Sequence, residues 1–325
     1  MTILVGCSGW SYDDWVGRFY PLDLARKRGE WLRYYAEYFR TVEINSTFYR
    51  SPNEFLVRSW IKKASDLDGF EFSLKLPRLV THDSIVKGNA AAAANQAASF
   101  ESICVEPLAT EGLLGCVLVQ LSPYFKNEGS AIKALASLLD VVSCDKYPYA
   151  VEFRHRSWLD DSGRDIVPEA LDLLQNHNVA DVIVDGPGFP ITSRITADHS
   201  YLRFHGRNYD IWYSDESEDD YRLNRYDFLY SEEQLGPWVQ RIIKAEDSTR
   251  NVRVYFNNHG RSKAVKNAFQ MMDLLSIPHR EKEIQLQDQM TLGSFNGPAA
   301  EGRAEDKNGN LQIPKPNMRL AKSNR

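Results

Sequence analysis

The chain has 325 residues, of which 43% are hydrophobic and 26% are charged, and its formal net charge at pH 7 is −5. These fractions are typical of a globular protein, and a negative chain lacks the overall positive charge of a general nucleic-acid binder. No segment approaches the roughly 20 apolar residues that a membrane-spanning helix needs, so we expect no contact with a membrane.

Eight short segments rich in Val, Ile, Phe or Tyr, each bounded by turn residues, have the pattern of β-strands. In chain order these predicted strands are Ile3–Gly6, Thr41–Asn45, Phe70–Leu76, Cys116–Leu121, Tyr149–Arg154, Ala180–Asp185, Tyr201–Gly206 and Val252–Asn258. Between them we predict helices at Trp31–Phe39, Glu54–Ser65, Ala90–Ala98, Asn127–Leu139, Pro168–Asn176, Glu232–Lys244 and Lys263–Leu275. The link Gly186–Ser200 contains two prolines and is expected to be irregular or a very short helix.

Strands that alternate with helices pair in parallel, and eight such units can close into an α/β fold, the (β/α)8 TIM-type barrel. A doubly wound open sheet is the alternative, but no Gly-x-Gly-x-x-Gly follows any predicted strand, so a nucleotide cofactor has no supporting motif. We assign residues 1–280 to a single barrel domain. From about Glu281 few apolar residues remain, which predicts a disordered polar tail over 281–325, and the acidic segment Ser214–Asp220 is expected to be a solvated loop.

Cysteine usage bears on where the protein works. None of the four cysteines forms a Cys-x-x-Cys pair, and no histidine lies at ligand spacing from any of them. This usage is typical of reduced thiols, so we expect a cytoplasmic protein.

Polar or charged residues end seven of the eight predicted strands. Residues two apart on a strand share a face, and inward-facing ones near the C-terminal ends line the mouth of a barrel. The residues concerned are Glu43, Asn45, Lys75, Gln120, Glu152, Arg154, Asp185, Arg203, His205, Tyr255 and Asn257. Aromatic residues that follow the strand ends have the character of pocket walls: Trp10, Tyr12, Trp15, Phe48, Tyr49, Trp158, Trp212 and Tyr213. A polar, aromatic-walled chamber is therefore predicted at the mouth.

The residues of this chamber favour an enzyme that acts by acid–base chemistry on a small anionic compound, either phosphorylated or carboxylated. The predicted catalytic residues, which would move protons, are Glu43, Glu152 and His205. The predicted substrate-binding residues are Lys75, Arg154 and Arg203 for the anion, Asn45, Asn257 and Asn258 for orientation, and Trp10, Tyr49 and Trp158 as walls. His82 follows the third predicted strand and is expected either to cap its loop or to contact a ligand.

Other interpretations stay open. One is an enzyme or binder of nucleic-acid phosphodiesters at the same mouth, which the net charge disfavours. Another is a non-catalytic ligand-binding or scaffold barrel, braced by a closed lattice of salt bridges among Glu43, Glu152, Asp185, Lys75, Arg154 and Arg203. A metal site could draw on Glu43, Glu152, Asp185 and His205, but the nearby cations oppose it, so we predict no metal ligands and identify no cofactor.

Eight motifs, in order along the chain, resemble those of the YecE-like family, a domain of unknown function (number 72). They are Gly6–Tyr12 with Phe19–Pro21, Thr41–Tyr49, Phe72–Lys75, Thr81–His82, Leu118–Leu121, Val151–His155 with Ser157–Trp158, Leu202–Arg207 and Tyr255–His259. The resemblance covers roughly residues 3 to 275 and implies a TIM-type barrel without naming a substrate. Barrels of abasic-site endonucleases look distantly similar, by analogy of fold alone. Cys7 stands where relatives usually have Thr, which keeps a small side chain there.

Overall fold

Eight parallel strands form a closed barrel in chain order within the computed structural model, which describes residues 2–192, 194–212 and 225–286. The strands are β1 Thr2–Ser8, β2 Thr41–Ile44, β3 Glu71–Lys75, β4 Leu114–Gln120, β5 Tyr149–Glu152, β6 Ala180–Asp185, β7 His199–Phe204 and β8 Asn251–Phe256. The first and last strands close the barrel in a register that runs from Thr2 opposite Asn251 to Cys7 opposite Phe256. The predicted TIM-type barrel is therefore confirmed.

Helices alternate with the strands, as the sequence predicts for most of them. They are α1 Trp31–Ala36, α2 Ser46–Tyr49, α3 Glu54–Ala64, α4 Ala90–Phe100, α5 Glu106–Thr110, α6 Ala131–Leu139, α7 Pro168–Asn176, α8 Tyr209–Trp212, α9 Glu232–Ser248 and α10 Lys263–Leu274. Short 3₁₀ turns lie at Asp13–Trp15, Leu22–Leu24, Arg28–Glu30, Arg156–Trp158 and Gly260–Ser262, and π-helical turns at Leu79–Ser84 and Glu101–Val105.

Element boundaries differ from the prediction at a few places, for local reasons. α6 begins at Ala131 rather than at Asn127, because Gly129 has a φ of 55°, which a helix cannot continue through. Six predicted strands, namely the second to the fifth, the seventh and the eighth, run one or two residues past the observed strand ends. Residues 186–192 and 194–198 hold no helix or strand, as expected for this link.

Capping side chains set the start of two outer helices. The Asn53 side chain accepts the Leu56 amide at 3.0 Å at the start of α3. At α9, Ser231 and Gln234 form a reciprocal capping box, with each side chain accepting the backbone N–H of the other residue. These caps satisfy backbone donors that no carbonyl of the helix can reach.

Two apolar clusters hold the barrel together. The larger one fills the space between the strands and the helices and includes Trp15, Trp31 and Phe72. The smaller one consists of strand residues that face the barrel interior: Cys116, Leu118, Ala150, Ala180, Val182, Val184, Tyr201 and Tyr255. Because strand side chains alternate between faces, a residue two positions after a member of this cluster on the same strand also points into the barrel. Such residues near the C-terminal ends of the strands lie at the mouth.

The described residues bear on the predictions about membrane helices and cysteines. In those ranges no helix combines the length and hydrophobicity needed to cross a bilayer. All four cysteines are buried and unpaired. The acidic segment Ser214–Asp220, Tyr213 and the predicted tail from residue 287 onward lie outside the described residues.

Candidate active site at the mouth of the barrel

Arg203 occupies the centre of the mouth and is fully buried. Its Nη2 donates to Glu43 Oε1 at 2.7 Å, and its Nη1 donates to Glu152 Oε2 at 2.5 Å and to Gln120 Oε1 at 3.1 Å. One guanidinium thus ties β7 to β2, β4 and β5. The sequence predicts that Arg203 holds an anion, but both of its terminal nitrogens already bind these side chains.

Glu43 and Glu152 are both buried carboxylates beside this arginine. Burial acts to raise the pKa of Glu43, but the positive charges of Arg203 and Lys75 outweigh it and lower the pKa. For Glu152, burial is likewise outweighed by Arg203 and His205, which hold the pKa well below its usual range. Both carboxylates are therefore ionised at neutral pH, and an acid–base pair with one raised pKa is not found.

His205 connects Glu152 to a row of amide side chains. Its Nε2 lies 3.5 Å from Glu152 Oε1, and its Nδ1 accepts from Asn257 Nδ2 at 2.9 Å. Burial, and then the charge of Arg203, lower the pKa of His205, so the imidazole is neutral at pH 7. With Asn257 as the donor, Nδ1 is the acceptor and the ring proton sits on Nε2, facing Glu152.

Asn45 and Ser8 continue this row at the ends of β2 and β1. Asn45 Nδ2 donates to the Ser8 carbonyl at 3.0 Å and lies 3.5 Å from Asn257 Oδ1. Ser8 pairs with Glu43 in the strand ladder. The Ser8 hydroxyl is buried and has no hydrogen-bond partner among the described residues. A buried hydroxyl without a partner is costly, so its place beside the mouth favours a polar occupant.

Lys75 and Arg154 are the basic side chains of the mouth with the fewest polar contacts to the described residues. Lys75 is 8% exposed, and its Nζ lies 4.3 Å from the centroid of the Phe48 ring. Arg154 is about a quarter exposed, and its Nε is 3.9 Å from Glu152 Oε1. Within the described ranges, neither side chain makes a hydrogen bond, and Lys75 makes no ion pair.

The pKa of Lys75 is lowered to about 7. Burial is the largest cause, and the charge of Arg203 adds to it, while Glu43 and Glu152 act in the opposite direction. Near neutral pH a large share of Lys75 is therefore an uncharged amine, which is uncommon for lysine and frequent in active sites.

His82 is a residue of the mouth that the sequence analysis left undecided. The π-helical turn Leu79–Ser84 carries it, and its ring meets Phe48 edge-on at 4.9 Å. Burial, and then the charges of Arg154 and Lys75, lower the pKa of His82 to about 3, so the ring stays neutral. Short π-helical turns occur frequently at functional sites.

Asp185 does not belong to the mouth, contrary to the predicted charge balance. Val182 and Val184 face the barrel interior, so the next residue points outward. Its carboxylate accepts from Arg207 Nε at 2.8 Å and from Trp238 Nε1 at 2.9 Å. The predicted lattice of three acids and three cations is thus wrong, because Asp185 pairs outside the mouth and leaves Glu43 and Glu152 with Arg203, Lys75 and Arg154 among the described residues.

Two predicted substrate-binding residues instead have packing positions. Trp158 is fully buried, and its indole N–H donates to the Phe125 carbonyl at 2.8 Å. Asn258 is buried and donates to the Phe228 carbonyl at 2.7 Å and to Asn267 Oδ1 at 2.8 Å. Neither side chain can line the chamber as predicted, since its polar group is already bonded to the protein layer around it.

The other two predicted wall residues lie away from the central cluster or on the surface. Trp10 is partly buried and packs toward Phe72, with ring centroids 6.4 Å apart. Tyr49 is 70% exposed. Tyr12, by contrast, lies close to the row of amides, because its hydroxyl donates to the Ser8 carbonyl at 2.6 Å.

Gln120 and Tyr201 hold charged groups of the site; Gln120 is predicted only to line the mouth, and Tyr201 is not among the predicted site residues. Tyr201 donates its hydroxyl proton to Glu43 Oε2 at 2.7 Å, and Gln120 accepts from Arg203. Tyr201 lies two residues before Arg203 on β7, so the period of the strand was a usable signal. No group of three or more His, Cys, Asp or Glu side chains in the described part of the chain is arranged to hold a metal ion.

Comparisons with known proteins agree on one family. The model of the family described as "Protein of unknown function DUF72" matches residues 4–291. The chain is 26% identical over 283 residues to the UPF0759 protein YunF of Bacillus subtilis. The aligned region covers 85% of this chain and 96% of that protein.

Solved structures give the same result. A DUF72 family protein of Thermotoga maritima is 33% identical, with a TM-score of 0.73 over 85% of this chain and 100% of its own. A DUF72 family protein of Enterococcus faecalis is 23% identical and has a TM-score of 0.70 over 87% of this chain and 100% of its own, which bears on the fold alone. The resemblance predicted from the eight motifs is confirmed.

Proposed function

We propose a function for this chain, which belongs to the DUF72 family, from the chemistry of its barrel mouth. We infer that it is an enzyme that binds a small phosphorylated or carboxylated compound there and acts on it by acid–base chemistry. The observation that carries the proposal is that two basic side chains of the mouth make no hydrogen bond to any described residue. Glu43 and Glu152 bind Arg203, and these carboxylates leave Lys75 and Arg154 at the mouth without such a bond.

Arg154 is the residue best suited to hold the anion. Its guanidinium can offer two parallel N–H donors to a carboxylate or phosphate, and its only ion pair in the described ranges is the long contact to Glu152. Lys75, when protonated, would add a second charge. Asn45 and Asn257 support orientation of a polar group, since their amides already lie side by side.

Proton transfer in the proposed reaction falls to His205 and Lys75 rather than to the carboxylates. Glu43 and Glu152 have lowered pKa values and hold no proton at pH 7. His205 is neutral beside Glu152, and the pKa of Lys75 is about 7. A group with a pKa near the working pH is the most effective general acid or base. The unpaired cysteines support a cytoplasmic location for this enzyme.

Anion binding can be tested with a pair of arginine variants on the same segment. We expect Arg154→Met to weaken binding of pyruvate or glycerol phosphate by about tenfold to a hundredfold, the value of a charge-assisted hydrogen bond. Arg156→Met is the matched control, because Arg156 lies two residues away and is exposed. Isothermal titration calorimetry measures both. Equal affinity in the two variants, or no binding by the unchanged protein, would contradict the proposal.

A further inference from the structure

Lys75 is fixed in place by its backbone, while its amine lies largely buried at the mouth beside Phe48. The Lys75 N–H donates to Thr47 Oγ1 at 3.1 Å, and that hydroxyl donates to the Lys75 carbonyl at 2.7 Å. The segment after β2 therefore holds the end of β3. The side chain then passes over Phe48, which shields one side of Nζ. A positioned, largely buried amine of this kind resembles the nucleophilic lysines of enzymes more than a surface charge.

Charged groups from three other strands act on this amine. Arg203 on β7 and Arg154 after β5 favour its neutral form, while Glu43 on β2 and Glu152 on β5 favour its charged form. His82, from the turn after β3, is neutral and adds no charge. Burial together with the two arginines prevails, so the pKa is about 7 and the neutral, nucleophilic amine is well populated at physiological pH.

We propose that Lys75 forms an imine with the carbonyl carbon of an anionic carbonyl compound, either a 2-oxo acid or a phosphorylated aldehyde or ketone. The inference rests on the proposed function, because Arg154 would bind the carboxylate or phosphate of that compound. It narrows the substrate from any small anion to one that carries a carbonyl group.

The step balances without any further reactant. Neutral Nζ attacks the carbonyl carbon, a C–N bond forms, and the C=O π electrons move to oxygen. The proton lost by nitrogen passes to that oxygen and gives a carbinolamine. The second nitrogen proton is lost and one proton is added to the hydroxyl, which leaves as water while the C=N bond forms, so the sum is one amine and one carbonyl converted into one imine and one water.

Reductive trapping tests the imine on the full-length protein. The protein is incubated at pH 7 with pyruvate, with dihydroxyacetone phosphate or with pyridoxal 5′-phosphate, and sodium borohydride reduces any imine to a stable secondary amine. Peptide mass spectrometry should find the adduct of at least one probe predominantly on Lys75. An adduct of pyruvate would indicate a 2-oxo acid substrate, and an adduct of either phosphate probe would indicate a phosphorylated aldehyde or ketone. Labelling should rise with pH to a half-maximum near 7, whereas exposed lysines should require a pH near 10.

Three variants make the result specific. Lys75→Arg keeps a cation and should abolish the adduct, and Arg154→Met should weaken labelling about tenfold with Lys75 intact, the effect of losing roughly 1.4 kcal/mol of anion binding. Lys87→Met removes an exposed lysine and should change nothing. Circular dichroism verifies that each variant is folded. The trapping result on the unchanged protein stands even if a variant does not fold.

Failure of this inference differs from failure of the proposed function. Lactate and glycerol phosphate carry no aldehyde or ketone group and cannot form the imine. Calorimetry with them therefore measures anion binding alone. If they bind in an Arg154-dependent way but no adduct forms on Lys75, the imine is ruled out and the anion-binding enzyme stands. If neither binding nor an adduct is observed, both are ruled out. Labelling spread over exposed lysines, with a half-maximum near pH 10, also overturns the imine.

Discussion

Arg203 shows how much a single residue can determine in a barrel mouth. Its guanidinium compensates two buried carboxylates that come from strands far apart in sequence, Glu43 and Glu152. Buried charges of this kind are costly to assemble and costlier to separate, because a partner left alone keeps its desolvation penalty. The same contacts agree with a scaffold barrel that is held together by salt bridges. The stability of variants at Arg203 therefore tests whether these ion pairs stabilise the barrel.

We expect Arg203→Met to lower the free energy of unfolding by roughly 3–5 kcal/mol at pH 7, since both carboxylates would lose their main cation. Arg203 keeps the pKa of both carboxylates low, so the stability it provides is present at neutral pH and declines as pH falls through those values. The deficit of the variant should therefore shrink toward acidic pH. Urea denaturation at several pH values measures it.

Arg26→Met, at an exposed position, is the matched control for this substitution and should change stability by about 0.5 kcal/mol or less. An Arg203→Met protein as stable as this control, or more stable than the unchanged chain, would show that the lattice does not brace the barrel.

At the scale of elements, the end of β7 depends on a close approach to the segment before α9. Gly206 has a φ of 90°, and its N–H donates to the Tyr230 hydroxyl at 2.9 Å. A Cβ at this position would lie 2.8 Å from the Phe228 Cβ. The Tyr230 hydroxyl in turn donates to the Asp185 carboxylate at 3.0 Å, so this turn connects β6 and β7 to the layer outside them.

Gly206→Ala should lower the free energy of unfolding by about 1–3 kcal/mol, because a side chain adds both left-handed backbone strain and a steric clash. Thermal and urea unfolding measure the change. Gly29→Ala is the control, since a Cβ there meets nothing within 4 Å and its φ is not positive, and it should be neutral or slightly stabilising. A Gly206→Ala protein that matches this control would contradict the geometry.

At the scale of the whole molecule, opposite charges are distributed unevenly. The chain carries a net charge of −5, while the described residues of the mouth comprise three basic side chains, Lys75, Arg154 and Arg203, and two acids, Glu43 and Glu152. In the lower half of the barrel interior, Arg253 Nε pairs with Glu71 Oε1 at 2.7 Å, which is locally neutral. A small positive mouth on a negative molecule suits a small anion better than a nucleic-acid backbone, which needs an extended positive surface.

We therefore expect no retention of the protein on immobilised single-stranded or double-stranded DNA at low salt. The same resin without DNA is the control. Retention that falls steeply as salt is raised would instead indicate contacts with several phosphates and would favour the nucleic-acid interpretation. Loss of that retention in Lys75→Met or Arg154→Met would locate the contacts at the mouth.

The eight strands and their alternation with helices follow from local sequence alone. Runs such as Ala180–Asp185 and Val252–Phe256 repeat between helical patterns, and neither alternation nor apolar content depends on distant residues. The same local pattern indicated that Glu43, Lys75, Arg154, Arg203 and Asn257 come at strand ends. Their presence around one mouth then needed only the rule that parallel strands end on the same side.

Only the tertiary structure decided what each of these side chains does. Arg203 binds Glu43 across 160 residues of sequence, and that contact depends on closure of the barrel and on strand register. The face of Asp185 and the burial of Trp158 were set by packing against α9 and the Phe125 loop. Lys75 makes no ion pair with a described acid because Glu43 and Glu152 bind Arg203, a competition among strands that no local pattern encodes.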